Sequence, residues 1–65
     1  MKITLNGKAV EIRAATLADA LAELGYADAQ VATAVNEEFV PRGARAVRAL
    51  AAGDRVEVVA PRQGG

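Results

Sequence analysis

The chain has 65 residues, eight basic side chains balancing eight acidic ones, and no cysteine, histidine, serine or tryptophan. That is one small domain, near the size at which a single core barely suffices, with no disulfide available to staple it. The missing residue types exclude a zinc site built from His or Cys, Ser-His and Cys-His catalysis, and a serine-linked prosthetic arm. Zero net charge and only two aromatics, Tyr26 and Phe39, argue against a nucleic-acid partner. No apolar run reaches membrane-spanning length and the N-terminus lacks a signal-peptide pattern, so the expectation is a cytoplasmic protein without a membrane partner. The acidic residues show no EF-hand spacing and imply no metal. Lys2 and Lys8 both lie in the first hairpin and support a biotin or lipoyl attachment site only weakly. By elimination, the most distinctive reactive group is the carboxylate of Gly65.

Met1-Lys2-Ile3-Thr4-Leu5 and Lys8-Ala9-Val10-Glu11-Ile12-Arg13 both alternate, and Asn6-Gly7 between them predicts a type I′ hairpin. A two-residue loop pairs Leu5 with Lys8, which places Met1, Ile3, Val10 and Ile12 on one face and the Lys2/Glu11 charge pair on the other. A helix follows. Thr16 is a good N-cap with Asp19 three residues on, and Leu17, Ala20, Leu21 and Leu24 form one apolar face. Gly25 suits the left-handed position after the helix. Tyr26 then packs back on Leu21 as part of a Schellman cap, a better reading than a recognition aromatic.

Val31 to Val35 reads as a strand, Asn36-Glu37-Glu38 as a polar turn, and Phe39-Val40 as a short return stopped by Pro41. Gly43 to Ala52 is the least legible segment, compatible with a helical turn that faces Val47 and Leu50 inward. Gly53-Asp54 signals a turn, and Arg55 to Ala60 a final strand. In that strand Val56 and Val58 share one face, and Arg55, Glu57 and Val59 the other. Val59 is either a lone surface valine or part of a small docking patch.

Pro61-Arg62-Gln63-Gly64-Gly65 comes last. Pro61 has no backbone donor and should end the sheet pairing, and the two glycines place no Cβ beside the terminal carboxylate. Fully extended, the five residues span about 15–18 Å, at roughly 3.3–3.6 Å each. The expected organisation is therefore a domain over residues 1–60 and a flexible tail over 61–65. An ordinary frayed end is the alternative.

Two strands, a helix, a strand, a short strand and a last strand can close one mixed sheet with the helix on one face. The right-handed crossover rule makes the first and last strands parallel neighbours at its centre. This is an α+β, β-grasp (ubiquitin-like) arrangement of four to five strands with one open face.

The whole chain resembles the ThiS family, the small sulfur carrier protein of thiamine (thiazole) biosynthesis. The likeness is carried by Ile3-Thr4-Leu5-Asn6-Gly7, by Ala34 to Arg42, by Gly53-Asp54-Arg55-Val56-Glu57 and by Gly64-Gly65. A glycine frequent among relatives is absent from the turn at Asn36-Glu37-Glu38, and Gly43 to Ala52 is less recognisable. The resemblance implies a protein that is not itself an enzyme and binds no cofactor. An adenylating (E1-like) enzyme would spend ATP in trans on the Gly65 carboxylate, which at a pKa of about 3.3–3.7 is ionised and a poor electrophile. A sulfur donor such as a cysteine desulfurase system would then convert it to a thiocarboxylate, and thiazole synthase would take the sulfur. In that scheme Gly65 carries the sulfur, Gly64 keeps the approach narrow and Pro61 sets the exit direction. Arg62 offers a fork to partner carboxylates, Gln63 completes the tail, and Val59 with the open face supplies docking. Three alternatives remain: the molybdopterin synthase small subunit, disfavoured by the polar Arg62-Gln63; a ubiquitin-like protein modifier; and a plain β-grasp interaction domain.

Overall fold

A computed structural model describes residues 1–27 and 29–60. Its elements run β1 (Lys2–Leu5), β2 (Lys8–Glu11), α1 (Leu17–Glu23), β3 (Ala32–Val35), β4 (Glu38–Val40), a 3₁₀ helix (Arg42–Val47) and β5 (Arg55–Val59). They form one five-stranded sheet in the order β2-β1-β5-β3-β4. Only the β1/β5 pair is parallel. The first and last strands are therefore neighbours, with β5 central, as the strand order predicts. The expected tail, 61–65, lies outside the described residues.

The opening hairpin has the predicted register, with Ile3 opposite Val10 and Leu5 opposite Lys8. Asn6 (φ 51°) and Gly7 (φ 83°) both take the positive φ that a type I′ turn demands. Lys2 faces Glu11 in register, while the Glu11 carboxylate sits 3.4 Å from the Met1 ammonium.

Helix α1 begins where its caps dictate. The Thr16 hydroxyl accepts from the Asp19 N–H at 3.2 Å, and Leu17 N–H donates to Arg48 C=O at 2.9 Å, so two of the first-turn donors are satisfied. It ends in a Schellman motif: Tyr26 N–H reaches Leu21 C=O at 2.7 Å and Gly25 N–H reaches Ala22 C=O at 3.2 Å, with Gly25 at φ 94°. Glu23 adds a tether that the sequence did not disclose. Its carboxylate accepts from the backbone N–H groups of Arg13 and Ala14, each at 3.0 Å. Leu17, Ala20 and Leu21 are buried against Ile3, Ile12, Val35, Val40, Val56 and Val58. Each large aliphatic side chain so buried contributes on the order of 1.5–3 kcal/mol.

Two expectations need correction. Glu38 belongs to β4, not to the preceding turn, because Val35 pairs directly with Glu38 and the loop is only Asn36-Glu37. Both loop residues have positive φ, 52° and 72°, so this is a second type I′ hairpin whose second position lacks the usual glycine. The strand before it also starts one residue later than expected, at Ala32. The second correction concerns Val47, which is 83% exposed. The 3₁₀ helix places Ala44 toward the core instead, beside buried Leu50. Its Arg45 reaches under the sheet, donating to Thr33 Oγ1 at 3.1 Å and Val31 C=O at 2.6 Å. Thr33 is itself buried and donates to Val40 C=O at 2.9 Å, so its hydroxyl is satisfied twice and carries no desolvation penalty.

The start of β5 is fixed by a small polar knot. Asp54 accepts from Ala51 N–H at 2.8 Å and from the Asn36 side-chain amide at 3.0 Å. These bonds, with Arg48 nearby, hold the Asp54 carboxyl below its ordinary value, the Ala51 bond being the largest cause. A depressed folded pKa stabilises the fold above the unfolded value, and that contribution is lost as pH falls through the folded one.

Two outcomes follow for stability. Glu37→Gly should raise unfolding free energy by about 0.5–1 kcal/mol, because glycine relieves the left-handed strain at a larger gain than it loses in chain entropy; urea titration showing no gain would contradict this. Asp54→Ala should lower the midpoint of thermal unfolding at neutral pH and flatten the acid limb of the stability curve below about pH 4. An acid limb identical to the parent's would remove Asp54 from the account.

Candidate functional site

β5 is held along both edges. On one side β1 pairs with Arg55 and Val56, and Asn6 N–H donates to Val56 C=O at 2.9 Å. The Asn6 side chain then takes over: its Nδ2 donates to Val58 C=O at 3.1 Å and its Oδ1 accepts from Val58 N–H at 2.8 Å. On the other side β3 pairs with β5 from Val56 to Val59. Asn36 finishes that edge, accepting from Arg55 N–H at 2.9 Å through Oδ1 and donating its own N–H to Arg55 C=O at 2.7 Å. The strand that leads to residues 61–65 is thus hydrogen-bonded along both edges up to Val58-Val59. Pro61, Arg62, Gln63, Gly64 and Gly65, the expected tail residues, fall outside the described residues.

Val59 is described, and it lies where the alternation predicts, 61% exposed on the face away from α1. It is not alone there. Val59 pairs with Ala32, and Ala34 pairs with Phe39. Because side chains alternate along each strand, all four project from the same face. Together they line a shallow apolar groove bordered by Asn6 and Glu57. Phe39 is 67% exposed, and an aromatic so exposed beside a second exposed apolar side chain marks a contact surface better than either does singly. Sequence reasoning did not assign Phe39 to this surface. A turn of three residues would have paired Phe39 with Val35 and directed it to the core; the two-residue turn shifts the register by one and turns it outward. The cue was present in Asn36 at the first position of a type I′ turn, but Glu37 in place of glycine concealed it.

Chemically the described surface is plain. Among the described residues no cluster of acidic side chains is arranged to hold a metal ion, and no buried side-chain polar atom lacks a partner. The Arg48/Glu38 pair at 2.8 Å and the Arg55/Glu37 pair at 3.5 Å are exposed ion pairs, of small energetic weight. No helix among the described residues is long and apolar enough to cross a membrane.

Comparison with known proteins gives a consistent result. The model of the ThiS family matches residues 3–65, almost the whole chain and including Gly64-Gly65. The fold superposes on the crystal structure of the thiamine biosynthesis protein (ThiS) from Geobacter metallireducens with a TM-score of 0.84 at 30% identity, covering 100% of both chains. An NMR solution structure of a thiamine biosynthesis protein from Geobacter metallireducens superposes with a TM-score of 0.78 at 29% identity, covering 100% of this chain and 88% of that one. No curated protein matches the chain. A family match over residues 3–65 and a superposable mixed sheet with β1 and β5 parallel at its centre agree: the protein belongs to the ThiS family.

Proposed function

We propose that this protein is a sulfur carrier in thiamine biosynthesis, loaded and unloaded at the carboxylate of Gly65. The observation that carries the reading is the family match, which runs through Gly64-Gly65, on a chain whose composition leaves it no cysteine, histidine or serine to do chemistry with. The carrier itself catalyses nothing in this scheme. The Gly65 carboxylate attacks the α-phosphate of ATP in the active site of an adenylating enzyme, releasing pyrophosphate and forming an acyl adenylate. Hydrosulfide then displaces AMP, or a persulfide from a cysteine desulfurase system does so and a thiol reduces the acyl persulfide. The product is a thiocarboxylate, whose ionised sulfur is a strong nucleophile for thiazole synthase.

Each tail residue has a part in this scheme. Gly64 and Gly65 place no Cβ in the channel that admits them, Pro61, with no backbone donor, sets the exit direction, and Arg62 and Gln63 contact the partner's entrance. Val59 and Phe39 supply the docking surface for both partners, in an exchange that requires transient interfaces of modest size.

Intact-mass spectrometry after incubation with ATP, the adenylating enzyme and a sulfur source tests the reading. Exchange of one oxygen for sulfur is expected; a conjugate to another protein, or no change, would contradict it. Addition of thiazole synthase should return the original mass, whereas discharge only by the large subunit of molybdopterin synthase would assign a different acceptor. Gly65→Ala should block loading while leaving the thermal midpoint unchanged; normal thiocarboxylate formation by that variant would count against the role given to Gly65. Val59→Asp with Phe39→Asp should raise the KM for loading about tenfold or more by removing apolar anchors from the interface. An unaltered KM would show that docking uses another face.

A further inference from the structure

We infer that Asn6 is a positioning residue for loading: its side-chain amide holds the end of β5 in the sheet and so fixes where the chain leaves for Gly65. The inference rests on the carrier reading above. In a parallel ladder the N–H of Val58 would next bond the backbone carbonyl of Asn6, following the bonds Thr4 N–H to Asp54 C=O and Asn6 N–H to Val56 C=O. Asn6 has positive φ, however, and turns into the hairpin loop. Its side chain substitutes for the missing strand residue, accepting from Val58 N–H at 2.8 Å and donating to Val58 C=O at 3.1 Å. These are the two backbone groups of Val58 that face away from β3. Without the amide both would lose their partner, and Val58-Val59 would be held along the β3 edge alone.

Asparagine suits this position for two reasons that do not depend on each other. It tolerates the left-handed φ of a type I′ turn, and its amide offers one donor and one acceptor in a plane, matching a peptide group. The second type I′ turn supplies an internal control. Asn36 also has positive φ and also bonds β5 through its side chain, but at Arg55, the end remote from the tail. Two asparagines in the same turn type therefore grip opposite edges and opposite ends of one strand. Only the Asn6 grip lies beside the exit.

The experiment compares Asn6→Gly and Asn36→Gly, each of which keeps its turn backbone, with Asn6→Asp as a second variant that retains the acceptor and loses the donor. Because the carrier is the substrate of the adenylating enzyme, partial unfolding raises the apparent KM, whereas a misdirected tail lowers kcat. For Asn6→Gly, kcat for loading should fall about tenfold, as for a small misplacement of reacting groups, and amide exchange at Val58 should quicken about tenfold on loss of its bond. Asn6→Asp should fall between that variant and the parent, and Asn36→Gly should keep the parent kcat. Equal kcat losses at Asn6 and Asn36, or faster Val58 exchange with kcat unchanged, would overturn the inference. A parent chain that is never loaded would sink the carrier reading and this role with it, and is told apart from a failed clamp because the Val58 amide then remains protected.

Discussion

The sheet depends on its last strand. β5 enters between β1 and β3, so neither hairpin is joined to the other until the C-terminal end of the domain has been placed. The two hairpins are local structures that alone would be marginal in water. Insertion of β5 buries Val56 and Val58 against Ile3, Val35 and α1 and turns two unstable pieces into one core. The order of events is also constrained: a parallel pairing between residues about fifty apart must close a long loop before it is rewarded. Central placement explains why the strand leading to the tail is bonded along both edges. Residues 61–65 thus follow a strand paired on both sides, and the polar knots at Asn6 and at Asn36-Asp54 reinforce that strand at both ends.

The exposed apolar groove and the core are two outcomes of the same alternation. On the inner face the chain places valine, isoleucine and one satisfied threonine; on the outer face it places charges, with a gap at Ala32, Ala34, Phe39 and Val59. Small alanines opposite an exposed phenylalanine and valine leave a shallow groove rather than a bulge. A short β4, stopped by Pro41, keeps the sheet edge brief, which limits unwanted edge pairing.

Most of the fold was legible because its signals are local. Asn6-Gly7 specifies its turn by backbone conformation alone, Thr16 and Gly25-Tyr26 specify the helix ends by hydrogen bonding within a few residues, and the alternation in β5 specifies its buried face. What was not legible required partners distant in sequence or a residue acting against its preference. Glu37 at φ 72° hides a two-residue turn, and with it the outward direction of Phe39. The 3₁₀ helix has neither a 3.6-residue apolar face nor a two-residue alternation, so Val47 was assigned inward when Ala44 and Leu50 fill that space. Arg45 beneath Thr33, Glu23 on Arg13-Ala14, and Asn6 on Val58 are long-range polar bonds that no pattern within one segment announces. Of the candidate site, Val59 was legible from its parity, whereas its neighbours on the groove became evident only once the register of three strands was known.

The account makes the body of the protein a holder and places all of its chemistry at one carbonyl carbon supplied with energy and sulfur by other proteins. A chain with no cysteine has no second place to keep transferred sulfur, so fragment-ion mass spectrometry of the loaded protein is the most direct test. The account predicts that every fragment containing Gly65 carries the heavier atom and that no fragment ending at or before Val59 does. The oxygen-to-sulfur mass increase found on a fragment that lacks Gly65 would contradict it.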